Sequence, residues 1–151
     1  MFLYFLCVCL FVFINCCFCS LISVLAVSNF IRPYLGQTLN GRAGSPFNFT
    51  WTFSGVAGLI DWGIKESDVN DFTKNGLILS LKTDGQQVFL NSRYDGRLTW
   101  YRMSGQVVFS FNTVNRSDMN TYLCILRAAS SRDSDQYDHI HLVVEGNHGW
   151  A

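Results

Sequence analysis

Aromatic and polar residues alternate strictly along residues 47–53. The aromatic positions Phe47, Phe49, Trp51 and Phe53 are separated by the polar residues Asn48, Thr50 and Thr52. Successive side chains of a β-strand point to opposite faces, so a period of two predicts a strand with one buried face. We expect the aromatic side of this strand to face a hydrophobic core.

The same period recurs through most of the chain, with turn residues between the apolar segments. The predicted strands cover residues 47–53, 59–65, 77–82, 86–90, 97–102, 106–112, 121–128 and 137–144. Residues 28–44 contain Pro33 and several glycines, a composition that favours a broken edge strand and a turn. No segment has a sustained helical period. The sequence therefore predicts an all-β domain.

The first 27 residues differ from the rest of the chain because they form an almost unbroken apolar run, and the first charged residue is Arg32. Val24 and Ala26 occupy positions minus three and minus one of a signal-peptidase site, so we interpret residues 1–26 as an apolar, helical signal peptide. The run is long enough to span a bilayer and no Lys or Arg precedes it, which leaves an uncleaved anchor as the alternative. The predicted domain covers residues 27–145, and residues 146–151 form a short tail.

Charge and cysteine content narrow the class of protein. Eleven Lys and Arg balance eleven Asp and Glu, all of them after residue 30, so no basic field indicates nucleic-acid binding. Five of the six cysteines fall in the leader. Cys124 is therefore alone in the predicted domain and has no intradomain partner for a disulfide, which leaves a buried thiol or pairing with another chain.

A turn-and-strand motif at residues 117–124 carries a family resemblance. Asp118, Tyr122 and Cys124 form the pattern D-x-x-x-Y-x-C, which resembles the turn before strand F of immunoglobulin domains. Trp62 is similar to the tryptophan of strand C in such domains. The pair of Arg97 and Asp118 resembles the salt bridge that crosses the bottom of such domains. Because two extra strands lie between residues 77 and 90, the resemblance implies a V-type, two-sheet, antiparallel Greek-key sandwich.

Two residues depart from the family pattern. Asn120 stands where a Gly usually precedes the corner tyrosine, and Asn is the next most tolerated residue at positive φ. Trp51 stands where the family has the first cysteine of its cross-sheet disulfide. Such a disulfide contributes about 2–4 kcal/mol to stability, and a buried Trp removes about 150–250 Å² of apolar surface from water. We interpret these two contributions to stability as comparable. We expect Trp51 to pack onto Cys124 and Trp62, with Cys124 a buried, unreactive thiol.

Candidate modification and ligand sites are few. Asn48-Phe49-Thr50 and Asn115-Arg116-Ser117 are N-glycosylation sequons, and we expect glycans on Asn48 and Asn115.

His139 and His141 share a strand face but have no visible third metal ligand. The acidic residues Asp133, Asp135 and Asp138 lack the glycine and glutamate of a calcium loop, so we interpret them as a solvated loop. No cofactor, metal or nucleophile–base pair is predicted, and we do not expect an enzyme.

The remaining functional candidate is a surface. If Tyr122, Cys124 and Leu126 point inward, then the residues between and after them, Leu123, Ile125 and Arg127, point outward. In immunoglobulin domains this sheet is named GFCC'. Its outer face should also carry Asp61 and Lys65. V-type domains often bind proteins through this sheet, although a flanking domain could also cover it. The resemblance thus implies an extracellular recognition module that binds a protein, including a second copy of itself, in cell adhesion, self recognition or immune binding. No small-molecule substrate is expected.

Two other interpretations of the protein fit the same residues. One is a freely secreted effector or decoy, and the other is the N-terminal fragment of a longer membrane receptor. All three place the domain outside the cell, either secreted or on the extracellular face of the plasma membrane. Contact with the membrane is expected only for an uncleaved leader or for such a fragment.

Overall fold

A computed structural model describes residues 29–32, 36–130 and 133–146. The predicted signal peptide and most of the predicted tail lie outside these residues. The described strands are β1 (Asn29–Arg32), β2 (Gln37–Arg42), β3 (Phe47–Ser54), β4 (Ala57–Lys65), β5 (Phe72–Lys82), β6 (Gln87–Leu90), β7 (Leu98–Met103), β8 (Gln106–Phe111), β9 (Thr121–Ala128) and β10 (Gln136–Glu145). Two short 3-10 turns cover Ser92–Tyr94 and Arg116–Asp118.

The strands form two sheets that pack face to face. One sheet has the order β1-β3-β8-β7, and the other has the order β2-β10-β9-β4-β5-β6. The first segment of the domain changes sheets, because β1 pairs antiparallel with β3 and β2 pairs parallel with β10. These observations confirm the predicted all-β sandwich, and β5 and β6 are compatible with its V-type form. Within the described residues no helix is long and apolar enough to cross a bilayer.

The start of β5 differs from the prediction. Polar residues suggested that this strand begins at residue 77, whereas it begins at Phe72. Its pairing with β4 contains register shifts, and Asn75 has a left-handed φ of 66°. At this point β4 and β5 approach closely, since a Cβ on Gly63 would collide with the Gly76 carbonyl oxygen. An irregular strand end held together by two glycines does not produce an alternating hydrophobic pattern.

Aromatic residues fill the space between the sheets. Phe49, Trp51, Trp62, Phe109 and Tyr122 are all essentially inaccessible to solvent. The Trp62 ring stacks on Phe109, with centroids 4.7 Å apart, and on Tyr122 at 5.3 Å. Such pairs add about 0.5–1.5 kcal/mol each beyond the burial of their surface. The aromatic face of β3 therefore lies in the core.

Candidate functional site

Trp51 occupies the centre of the sandwich. Its ring contacts are with Phe49 at 6.0 Å and Phe109 at 5.8 Å. These two rings also contact Trp62, at 5.3 Å and 4.7 Å, so they connect the two tryptophans. Cys124 lies in the same core cluster, fully buried and without a disulfide. Burial, and then the nearby carboxyls of Asp138 and Asp61, hold the pKa of its thiol well above the usual range, and such a thiol is a poor nucleophile.

Asp138 faces this core from β10, directly opposite Cys124 on β9. It is 1% exposed, so the interpretation of this residue as part of a solvated loop is wrong. Its Oδ1 accepts a hydrogen bond from the His139 backbone N–H at 2.8 Å, but neither its Oδ2 nor Trp51 Nε1 has a hydrogen-bond partner of good geometry. Burial raises the pKa of Asp138 to about 6, although the His139 N–H and the Trp51 indole oppose this change.

Directional polar contacts connect the sheets at the corner formed by Arg97, Asp118 and Tyr122. Arg97 Nη2 lies 2.9 Å from Asp118 Oδ2, which also accepts a hydrogen bond from the Asn115 backbone N–H at 2.8 Å. The Tyr122 hydroxyl donates to the Asp118 carbonyl oxygen at 2.7 Å. Burial raises the pKa of Tyr122, so this hydroxyl keeps its proton. Each of these groups therefore has a partner.

A second polar network lies on the outer face of the six-stranded sheet, the side turned away from the core. Asp61 on β4 accepts hydrogen bonds from the Ser80 hydroxyl and, at 2.7 Å, from Arg127 Nε. Arg127 Nη1 reaches Asp135 Oδ2 at 2.8 Å, and Asp135 Oδ1 accepts from the Ala128 backbone N–H at 2.9 Å. Burial alone would lower the pKa of Arg127, but the bonds to Asp135 and Asp61 raise it. The guanidinium is thus charged and fixed in place.

The structure corrects the predicted accessibility of this face. Leu123 and Ile125 were expected to be exposed, but they are 0% and 1% exposed, and Asp61 is only 8% exposed. Both apolar residues lie on an inner strand of the six-stranded sheet, where β10 and β4 flank them. Arg127 remains accessible, with 36% of its side chain exposed. Alternation correctly separated these residues from the core, but a face turned away from the core need not be open to solvent.

Lys65 is the remaining predicted contact residue, and it is partly occupied by its own loop. Its Nζ donates to the carbonyl oxygens of Val69 at 2.7 Å and Glu66 at 3.0 Å. A shallow pocket of about 200 Å³ lies beside it and is also lined by His139 and His141. Burial, and then the Lys65 charge, lower the pKa of His139, which favours a neutral imidazole. Among the described residues no three His, Cys, Asp or Glu side chains are grouped to hold a metal.

Both sequon asparagines are exposed. Asn48 lies on the outer face of β3, opposite Ser110 on β8. Asn115 precedes the 3-10 turn Arg116–Asp118, and its backbone N–H is held by Asp118. Glycosylation of either residue stays a prediction.

Comparison with known proteins is informative only at the level of structure. No protein-family model matches the sequence, and no curated protein is similar enough to count as a relative. A solved structure of murine CRIg is 18% identical, with 78% of this chain and 98% of that chain covered, at a TM-score of 0.60. A chain from the complex of titin M10 with an obscurin-like 1 immunoglobulin domain is 14% identical, with 81% and 97% covered, at a TM-score of 0.51.

A third neighbour comes from a structure that concerns T cell specificity and activation by the bacterial superantigen toxic shock syndrome toxin-1. It is 12% identical, with 80% of this chain and all of that chain covered, at a TM-score of 0.60. The fold is immunoglobulin-like. At these sequence identities the structural likeness establishes the fold alone. The function of this chain depends on its own surface residues.

One row of side chains crosses the outer face, and of its members only Asp61 and Ile125 were predicted from the sequence. Across the sheet, Phe89, Ser80, Asp61, Ile125 and Tyr137 lie opposite one another on β6, β5, β4, β9 and β10. Phe89 is exposed and Tyr137 is half-buried. Tyr137 could have been found from the sequence, since it lies two residues before His139 and four before His141 and therefore shares their strand face. The role of Asp135 could not, because it depends on the conformation of the loop before β10.

Proposed function

We propose that this immunoglobulin-like domain is an extracellular recognition module that binds a protein partner through the outer face of its six-stranded sheet. The partner class includes a second copy of the same chain. Binding of this kind depends on surface complementarity and involves no chemical reaction.

The observation that carries the proposal is the fixed, partly exposed Arg127. Two carboxylates hold its guanidinium from different sides, Asp61 at 2.7 Å and Asp135 at 2.8 Å. Arg and Tyr are enriched among the residues that dominate binding energy at interfaces, and a pre-positioned side chain loses little entropy on binding. The half-buried Tyr137 lies on the same face, so a charged anchor and an aromatic anchor are available together.

The location of the interface on this face is supported by its mixed character. Arg127, Lys65 and His141 supply polar and charged groups, and Phe89 adds an exposed aromatic ring at the sheet edge. A polar rim around a partly apolar centre is typical of protein interfaces. Leu123 and Ile125 lie beneath this surface and would support it without touching a partner.

The extracellular location is supported by the sequence. An apolar leader precedes the domain, and two exposed asparagines stand in sequons. Protein binding is supported separately: one structural neighbour is a chain from the complex of titin M10 with an obscurin-like 1 immunoglobulin domain, so this fold takes part in a protein–protein complex there.

The proposal can be tested with variants of the exposed residues. A screen of the secreted domain against extracellular proteins, itself included, would supply the partner. Replacing Tyr137 or Phe89 by alanine removes a candidate aromatic anchor. A variant that loses a true anchor should bind the partner about tenfold or more weakly. Tyr101→Ala, an exposed tyrosine on the opposite sheet, is the matched control and should bind as the unaltered protein does.

Thermal unfolding of each variant would show that the fold is intact. A further variant, Arg127→Lys, keeps the charge but loses the planar guanidinium that Asp61 and Asp135 hold, and should also weaken binding. If all three variants are folded and bind at full strength, the interface lies elsewhere. Charged substitutions at Leu123 or Ile125 are unsuitable for this purpose, because a charge at these buried positions would be expected to unfold the domain.

A further inference from the structure

The outer face of the four-stranded sheet is uncharged over three adjacent strands. The register of β3, β8 and β7 places nine side chains there in a grid of three rows: Asn48, Ser110 and Thr99; Thr50, Val108 and Tyr101; Thr52, Gln106 and Met103. The residues that alternate with them, such as Phe49 and Phe109, lie in the core. We call these nine residues the neutral face.

The neutral face combines hydrogen-bonding groups with exposed apolar surface. Its hydroxyl and amide side chains are donors and acceptors without charge. Tyr101 is 51% exposed and Met103 is 54% exposed, whereas Val108 in the centre is only 2% exposed. The opposite sheet, by contrast, carries Asp61 and Arg127 on its outer face. Uncharged hydroxyl and amide groups beside an aromatic ring suit a sugar, whose hydroxyls form hydrogen bonds and whose C–H groups pack on the ring.

The position of Asn48 indicates where such a sugar would come from. Asn48 is exposed, occupies a corner of the neutral face and is the acceptor of a sequon. Neighbouring strands lie about 4.8 Å apart and alternate residues about 6.8 Å apart, so Tyr101 lies about 12 Å from Asn48. Only the small side chains of Ser110 and Thr99 continue its row. Nothing bulky in that row would prevent a chain of two or three sugars from lying down toward the tyrosine.

We propose that an N-linked glycan on Asn48 lies across the neutral face and covers Tyr101, instead of extending into solvent. The inference rests on the extracellular location proposed above, since only a secreted domain receives this glycan. A glycan in this position would leave the domain with a single binding face, because it covers the four-stranded sheet and leaves the six-stranded sheet open to partners.

Chemical modification of tyrosine tests this arrangement. The secreted protein from a glycosylating host would be treated with tetranitromethane, and the nitration rate of each tyrosine followed by peptide mass mapping, which also reports occupancy of Asn48. Nitration of Tyr101 should be several-fold faster in Asn48→Gln and in Thr50→Ala, both of which lose the sequon. Tyr137, on the opposite sheet, is the internal control and should react equally in all proteins.

Three results would overturn the proposal, and they differ from one another. If Asn48 is occupied and Tyr101 reacts at the same fast rate with and without the glycan, the sugar extends into solvent while glycosylation itself stands. If Asn48 is unoccupied, the proposed covering is absent, and recognition through the six-stranded sheet is unaffected. If Tyr101 is protected equally in the unaltered protein and both variants, another protein or a second copy covers the face. Deglycosylation of the folded, unaltered protein should reproduce the faster nitration without any substitution.

Discussion

Trp51 and Asp118 lie at two places where the sheets of the sandwich are joined, and their surroundings differ. Around Trp51 the contacts are between rings, and Trp51 Nε1, Trp62 Nε1 and Asp138 Oδ2 are left without well-aligned partners. Around Asp118 the contacts are directional, and the carboxylate, the tyrosine hydroxyl and a backbone N–H are all paired. Bulk therefore joins the sheets in the centre, and hydrogen bonds join them at the corner.

The largest effect is expected from removing bulk at the centre. Trp51→Ala should lower the free energy of unfolding by about 3–5 kcal/mol, because it leaves a cavity among Phe49 and Phe109. Denaturant unfolding measures this loss, and labelling of the native Cys124 thiol should become faster. Trp100→Ala, at a half-buried position on the edge strand β7, should cost less. Equal losses in the two variants would contradict a special role for Trp51.

Removing the carboxylate at the corner should have the next largest effect. Asp118→Ala leaves Arg97 Nη2 and the Asn115 N–H without their partner, and should cost about 2–3 kcal/mol in unfolding free energy. Tyr122→Phe removes one hydrogen bond and should cost about 1 kcal/mol. Asp95→Ala, at an exposed position nearby, serves as the control and should change little. A corner variant as stable as this control would show that the directional contacts contribute nothing.

A smaller, pH-dependent effect is expected from Asp138, which belongs to the centre. Its native pKa of about 6 lies above the ordinary 3.8, so the folded state holds its proton more tightly than the unfolded state. The associated stability is fully present below about pH 4 and is lost as the pH rises through 6. Between pH 4.5 and 7.5 the loss in unfolding free energy should be about 2 kcal/mol. Trp51 and Cys124 face the carboxyl and carry no compensating positive charge.

Unfolding free energies of the unaltered protein and Asp138→Asn, compared between pH 4.5 and 7.5, measure this dependence. The variant should gain stability relative to the unaltered protein as the pH rises. Ser134→Ala, in the exposed loop before β10, should follow the unaltered protein at every pH. A constant difference between Asp138→Asn and the unaltered protein would mean that Asp138 does not titrate in this range.

Much of the fold could be predicted from the sequence because alternation is a local signal. The bounds of β9, Thr121–Ala128, follow directly from it, and so does the aromatic face of β3. The start of β5 could not be predicted, because the close approach of Gly63 to Gly76 involves two distant segments. Asp138 was grouped with the acidic loop, although its spacing of two from Ile140 already places it on the inner face of β10.

The candidate site was less predictable than the fold. Periodicity assigns Leu123, Ile125 and Arg127 to one face, but it does not report which of them the neighbouring strands cover. The bridge from Arg127 to Asp61 joins residues that are 66 positions apart in the chain. Contacts of this kind depend on which strands become neighbours, and no local pattern encodes them.

The absence of a cross-sheet disulfide beside Trp51 in the described residues has a consequence for the redox chemistry of the domain. Within the described residues no sulfur–sulfur bond holds the sandwich together, and Cys124 is a buried thiol. Reduction therefore has no bond to break there, and folding of this part of the chain requires no oxidant or disulfide isomerase. The midpoint of denaturant unfolding should be the same with and without a reducing agent, so that the sandwich is equally stable in reducing and oxidising surroundings.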